Sequence, residues 1–168
     1  MTTRSRLFVA SALLGLSAPL QAQSARSADV RAAEAAVRAV FAAGERGDLA
    51  ALDTLYAGDS LTIVEGAGIN RGWSDYRDHH LGPELKEMKN FRYRPFEIEP
   101  RVHGDMAWVT FRYALQADMN GRAVDALGRG TMILERRGRG SAARWVVRHS
   151  QTASRARRAG DPPMPAGA

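Results

Sequence analysis

Between Arg92 and Ala153 the chain carries four long strand-forming stretches separated by tight turns, and this arrangement limits the fold more than any other feature. The stretches are Arg92–His103, Met106–Ala117, Ala123–Glu135 and Arg144–Ala153, and the turns are His103-Gly104-Asp105, Asn120-Gly121 and Gly138-Arg139-Gly140. Connections this short join antiparallel neighbours only, so the second half of the protein is an antiparallel meander. Pro95 and Pro100 remove ladder donors from the first stretch and assign it to an edge or a bulge. Gly128 and Gly130 mark a bend or bulge in the third.

The first half has a different period. Val30, Ala33, Val37, Val40 and Phe41 recur every three or four residues, which predicts an amphipathic helix over Asp29–Arg46, capped by Ser27 and stopped at Gly47. Asp48 then caps a second helix with Leu49, Leu52, Leu55 and Tyr56 as its buried stripe, ending at Gly58-Asp59. A strand over Ser60–Glu65 follows. Gly66–Gly72 reads as a turn into a third helix, Trp73–Leu81, which Gly82-Pro83 breaks or kinks before a last turn through Met88. Helices first and hairpins later specify an α+β domain.

Residues 1–22 have the layout of a secretory signal peptide: Arg4 and Arg6, the apolar run Leu7–Leu16, then Ala18-Pro19-Leu20-Gln21-Ala22 with cleavage expected after Ala22. The expected location is periplasmic or secreted, with no membrane span after cleavage. What remains is the size of one domain. Residues 157–168, with three prolines and no apolar period, read as the disordered part of a basic tail beginning at 155. There are 24 basic and 18 acidic side chains, and losing Arg4 and Arg6 lowers the excess from +6 to +4. The arginines of 136–144 and 155–158 form a solvated basic hairpin and tail, and export argues against a nucleic-acid partner. The absence of cysteine excludes disulfides, thiolate metal sites and cysteine nucleophiles.

Two segments carry chemistry. In Arg144–Thr152, strict alternation places Trp145, Val147, His149 and Gln151 on one face, so that an apolar face ends in an imidazole and an amide, as at the mouth of a polar cavity. In Tyr76–Glu84, Tyr76 and His80 share a helical face, with Trp73 one turn earlier. A cavity lined by Trp73, Tyr76, His80, Trp145, His149 and Gln151 would hold a base, a hydrogen-bond donor and a proton shuttle. A metal at His80, Glu84 and His149 requires both helix ligands to face His149; no metal and no cofactor is expected.

In Met106–Leu115 one face carries Ala107, Val109, Phe111, Tyr113 and Leu115, and the other carries Met106, Trp108, Thr110 and Ala114. Both are largely apolar, whereas a sheet in a monomer wets one face, so a second copy is expected over the outer face.

The order of these elements, with Arg71-Gly72-Trp73 entering the third helix, His103–Val109, Gly130–Leu134 and the strand from Trp145 to His149, resembles the nuclear transport factor two-like superfamily, in particular its SnoaL-like and ketosteroid-isomerase-like branches. The resemblance covers residues 28–154. It implies a cone-shaped fold with a cavity between the helices and a curved antiparallel sheet, and frequent homodimers. Isomerases of that family use a carboxylate base with a tyrosine and a protonated acid, for which Tyr76, Asp125 and Glu65 are the candidates by location. Its dehydratases use histidine and aspartate with tyrosine and water, which His149, His80 and Tyr76 imitate in kind. The combined expectation is an exported, cofactor-free domain that binds a small, apolar or aromatic molecule. The alternatives are an acid-base isomerase, dehydratase or cyclase using His149, Tyr76 and His80, and a non-catalytic interaction domain.

Overall fold

The computed structural model describes residues 17–167. Four helices and six strands follow in order: α1 (Ser17–Glu45), α2 (Leu49–Leu55), β1 (Thr62–Glu65), β2 (Gly68–Arg71), α3 (Trp73–Tyr76), α4 (Gly82–Glu87), β3 (Met88–His103), β4 (Met106–Met119), β5 (Arg122–Arg137) and β6 (Arg144–Ala156). The strands make one curved, unclosed sheet in the order β2-β1-β6-β5-β4-β3, antiparallel throughout except where β1 runs parallel to β6. The fold is thus α+β, with the meander placed as its turns require and β3 at an edge.

Helix α1 lies over the sheet because its apolar residues recur on one stripe. Ala33, Val37, Val40 and Phe41 are buried, and Phe41 meets the rings of Phe111 and Tyr113. Burying each large side chain contributes about 1.5–3 kcal/mol. Asp48 Oδ1 accepts the amide of Ala51 at 3.0 Å and fixes the start of α2. The expected export segment lies partly outside the described residues. Within them, the chain is already helical from Ser17, ahead of the expected start at Asp29, and the Ser27 hydroxyl donates to Ser24 O at 2.8 Å inside the helix instead of capping it.

Four other expectations are corrected. Gly66-Ala67 closes a two-residue hairpin, so Gly68–Arg71 is a strand and not part of a turn; Gly66 supplies the positive φ of 58° that the hairpin needs. Gly82-Pro83 does not break the helix. Arg77–Leu81 widens into a π-turn in which Gly82 N–H reaches back to Arg77 O, and this absorbs the donor that Pro83 lacks. The glycines of β5 carry no bulge, since β4 and β5 pair without interruption from Met106↔Glu135 to Met119↔Arg122. They make room instead: a Cβ on Gly130 would stand 2.6 Å from Phe111 Cζ, and Gly128 underlies Tyr113 in the same way. Finally, the tail expected to be disordered from residue 155 is anchored. Strand β6 runs to Ala156, Arg155 pairs with Asp161 at 2.7 Å, Arg157 Nε donates to Asp125 at 2.7 Å, and Arg94 Nη1 donates to Pro165 O at 2.9 Å. Arginines fix the tail where no apolar period does.

The bulge that matters most lies in β6. Ile133 pairs with His149 but Leu134 pairs with Val147, so Arg148 is an extra residue in the ladder. Side-chain alternation therefore changes phase at Arg148. Trp145 and Val147 face the core before it, and Ser150 and Thr152 take that face after it.

Candidate functional site

A small cavity of about 40 Å³ lies between α1, α2, the π-turn and the sheet. Its walls are apolar at Val40, Leu52, Ile63, Leu81 and Met132, and polar where Glu65, Tyr76, Ser150 and Thr152 meet. Space of this size holds roughly one or two water molecules.

Glu65 organises the polar wall. It ends β1 on the same face as buried Ile63, with Thr152 opposite it in the ladder. One carboxylate oxygen accepts the Tyr76 hydroxyl at 3.1 Å, and the other lies 3.3 Å from His80 Nε2. The same Nε2 is 3.2 Å from Glu84 Oε1. Burial raises the Glu65 pKa above the ordinary carboxylate range, against the opposing pull of His80 and the Tyr76 hydrogen bond. Burial also raises the Tyr56 and Tyr76 hydroxyls, so both remain neutral donors.

The histidine is oriented from behind. His80 Nδ1 is 3.0 Å from Asn70 Oδ1, while Asn70 Nδ2 donates to Asp75 Oδ2 at 3.0 Å. Because the Asp75 carboxylate can only accept, the Asn70 oxygen must face His80, and Nδ1 must carry a hydrogen. Nε2 then faces two carboxylate oxygens. A hydrogen lies on Nε2 or on one of the facing carboxyls of Glu65 and Glu84, so the three groups form one connected hydrogen-bonding cluster.

Hairpin β1–β2 supplies Glu65 and Asn70, and the helical segment after it supplies Asp75, Tyr76, His80 and Glu84. The π-turn at Arg77–Leu81 lies between Tyr76 and His80, whose ring centroids are 5.1 Å apart. Of the residues singled out in the sequence, these two meet at one carboxylate. Trp73 stands behind the wall, stacked on Tyr56 at 4.7 Å with its indole N–H on Asp53. Trp145 is core at the far end, under Arg136 at 4.6 Å. His149 and Gln151 are corrected: the Arg148 bulge turns both to the outer face of the sheet, opposite the cavity. His149 is therefore not brought to His80 and Glu84. Asp125 is remote as well, bound to Arg157 at the outer end of β5.

Alternation in β6 missed Ser150 and Thr152, and Tyr56 and Tyr93 were not singled out for the cavity. Glu65 had a readable signal in the pattern Ile63-Val64-Glu65, which puts a carboxylate on the face of a buried isoleucine next to a tight hairpin.

Comparison with known proteins agrees with this architecture. Residues 33–154 match the SnoaL-like domain. A proposed ketosteroid isomerase from Shewanella frigidimarina is 25% identical and superposes with a TM-score of 0.62, covering 72% of this chain and 94% of its own. A proposed dehydratase of the nuclear transport factor two-like family from Streptomyces avermitilis is 20% identical, with a TM-score of 0.66 over 76% of this chain and 96% of its own. A nuclear transport factor two-like superfamily protein from Salmonella enterica is 15% identical, with a TM-score of 0.62 over 84% and 99%. No curated protein matches the sequence.

Proposed function

Because the chain belongs to the SnoaL-like domain family, we propose that it is a small-molecule-binding domain whose inner cavity receives the polar group of a mainly apolar ligand. The observation that carries this reading is Glu65, a carboxyl set into an otherwise apolar wall and bound by Tyr76 and His80. A ligand hydroxyl or carbonyl would enter this water-sized space and exchange hydrogen bonds with the group, and its carbon frame would widen the cavity between Val40, Leu52 and Met132. Native mass spectrometry of the protein purified from its own cells tests the reading. The expected result is a retained small-molecule mass that Glu65→Gln with Tyr76→Phe releases; an unliganded protein that takes up no small molecule overturns it.

A second reading is proton transfer, favoured by the contact of His80 Nε2 with the Glu65 carboxyl beside the Tyr76 hydroxyl. In this chemistry Glu65 removes a proton from carbon next to a ligand carbonyl, and the pair returns that proton to a different carbon, giving an isomer with no net gain or loss. Proton–deuterium exchange into a panel of enolisable ketones, hydroxylated aromatics and steroid enones distinguishes the readings. Binding without exchange above buffer leaves the binding domain.

We also propose that the domain acts outside the cytoplasm as a homodimer. The arginine-flanked apolar run at residues 4–16 supports export. On the outer sheet face Trp108 is 50% and Met106 is 43% exposed, which supports a covering partner copy.

A further inference from the structure

We propose that Tyr93 divides one binding site into two parts, and that with its ring displaced the site takes an anionic amphiphile, a one- or two-ring or short-chain apolar body ending in a carboxylate or sulfonate. This rests on the small-molecule reading and adds to it the ligand's size, charge and route of entry.

The closed cavity is too small for such a molecule, so a wall must move. Tyr93 is the wall with space on both sides. Tyr93 borders the inner cavity and also an outer pocket of about 260 Å³ between the last turns of α1 and β3, where Ala166 and Gly167 of the tail also lie. Joined, the two spaces reach roughly 300 Å³, the lower end of ordinary ligand pockets. Tyr93 is partly buried, its ring packed against those of Phe41, Phe91 and Tyr113, and Gly44 faces it from the helix: a Cβ there would stand 3.6 Å from Tyr93 Cδ1, and a longer side chain would hold the ring in place. The neighbouring backbone is irregular, since β3 loses register between Lys89 and Arg92 and Asn90 takes a positive φ of 52°.

The outer pocket is basic. Arg38, Arg46 and Arg94 line it against one carboxylate, Glu45. Glu45 accepts Tyr93 N–H at 2.8 Å and pairs with Arg94 at 3.3 Å. Arg38 and Arg46 are exposed, and their pairs with Glu34 (2.7 Å) and Asp48 (3.7 Å) are surface contacts that contribute little and yield readily to a bound anion. The inner end offers Glu65 and Tyr76 for hydrogen bonding. The joined site thus has a cationic mouth, an aromatic throat and a hydrogen-bonding floor.

Two probes with one carbon frame test this: 8-anilinonaphthalene-1-sulfonate and the neutral N-phenyl-1-naphthylamine, titrated by fluorescence against the folded full chain. The sulfonate is expected to bind at least tenfold more tightly, and Arg46→Gln with Arg94→Gln is expected to abolish that difference while leaving the neutral probe bound. Tyr93→Val is expected to speed association of both probes at least tenfold, and Ser150→Leu added to it should weaken both. Where circular dichroism shows that Tyr93→Val does not fold, Gly44→Leu takes its place and is expected to slow entry tenfold. Equal affinity for the two probes, association unchanged by Tyr93→Val or Gly44→Leu, or no effect of Ser150→Leu each overturns the inference alone. Failure of the wild type and of Tyr93→Val to bind either probe overturns the small-molecule reading with it.

Discussion

The Tyr76 hydroxyl donates to Glu65 at 3.1 Å, and this bond ties the carboxyl group of the cavity wall to the third helix. Tyr76→Phe removes the donor and keeps the ring. Leaving the buried Glu65 oxygen without its donor is expected to lower stability by about 1–3 kcal/mol. Denaturant titration at pH 7 checks the value, and an unchanged midpoint would show that water replaces the hydroxyl at no loss.

Glu65 also makes stability depend on pH. Its folded pKa is raised above the ordinary value of 4.5, so folding favours its protonated form. The corresponding stability is complete below 4.5 and is lost as pH rises through the folded value. Glu65→Gln removes this step, so the variant should gain on the wild type in melting temperature between pH 4 and pH 8. A constant difference across that range would contradict the assignment.

The Arg148 bulge reverses a natural mutational expectation. His149→Gln lies on the outer face and is expected to leave binding of small apolar probes within about twofold of wild type. Thr152→Leu, inside the cavity, is expected to weaken it at least tenfold. The opposite ranking in fluorescence titrations would mean that β6 pairs with β5 in unbroken alternation.

This residue also shows where sequence reading stops. The helical stripe Ala33-Val37-Val40-Phe41, the Asp48 cap and the three hairpins were legible because period and turn chemistry are local. Tyr76 and His80 were legible because four-residue spacing survives even a π-turn well enough for both to reach Glu65. A one-residue bulge leaves no comparable trace: Arg148 is an ordinary strand residue, and the phase change it causes shows only in pairing with β5. The strand Gly68–Arg71 was hidden for a related reason. The glycines at 66, 68 and 72 signal flexibility, while its ladder with β1 depends on a tight turn at Gly66-Ala67.

Glycines over aromatic rings give a fourth test. Gly130→Ala would press a methyl group against Phe111 and the backbone oxygen of Gln151, both within 2.7 Å, and is expected to destabilise by about 1–3 kcal/mol. Gly44→Ala, inside α1 with ordinary clearance, is expected to stabilise by about 0.5–1 kcal/mol. Thermal melts of the two variants should shift in opposite directions.

The outer face gives the fifth. If a second copy covers Trp108, then Trp108→Glu places a charge in the interface and should convert a dimer to a monomer in sedimentation velocity at micromolar concentration. A monomeric wild type at that concentration overturns the dimer proposal.

Glu45 has a consequence beyond the pocket it lines. β3 is an exposed edge whose free amides could template another strand, yet Glu45 occupies the amide of Tyr93, two prolines delete donors, and register shifts follow Lys89 and Phe96. At the opposite edge β2 offers only four residues. Neither margin of the sheet presents a long, regular row of hydrogen-bonding groups, so the protein is guarded against growing by strand addition into fibrils, and the proposed pairing of two copies uses the face of the sheet instead.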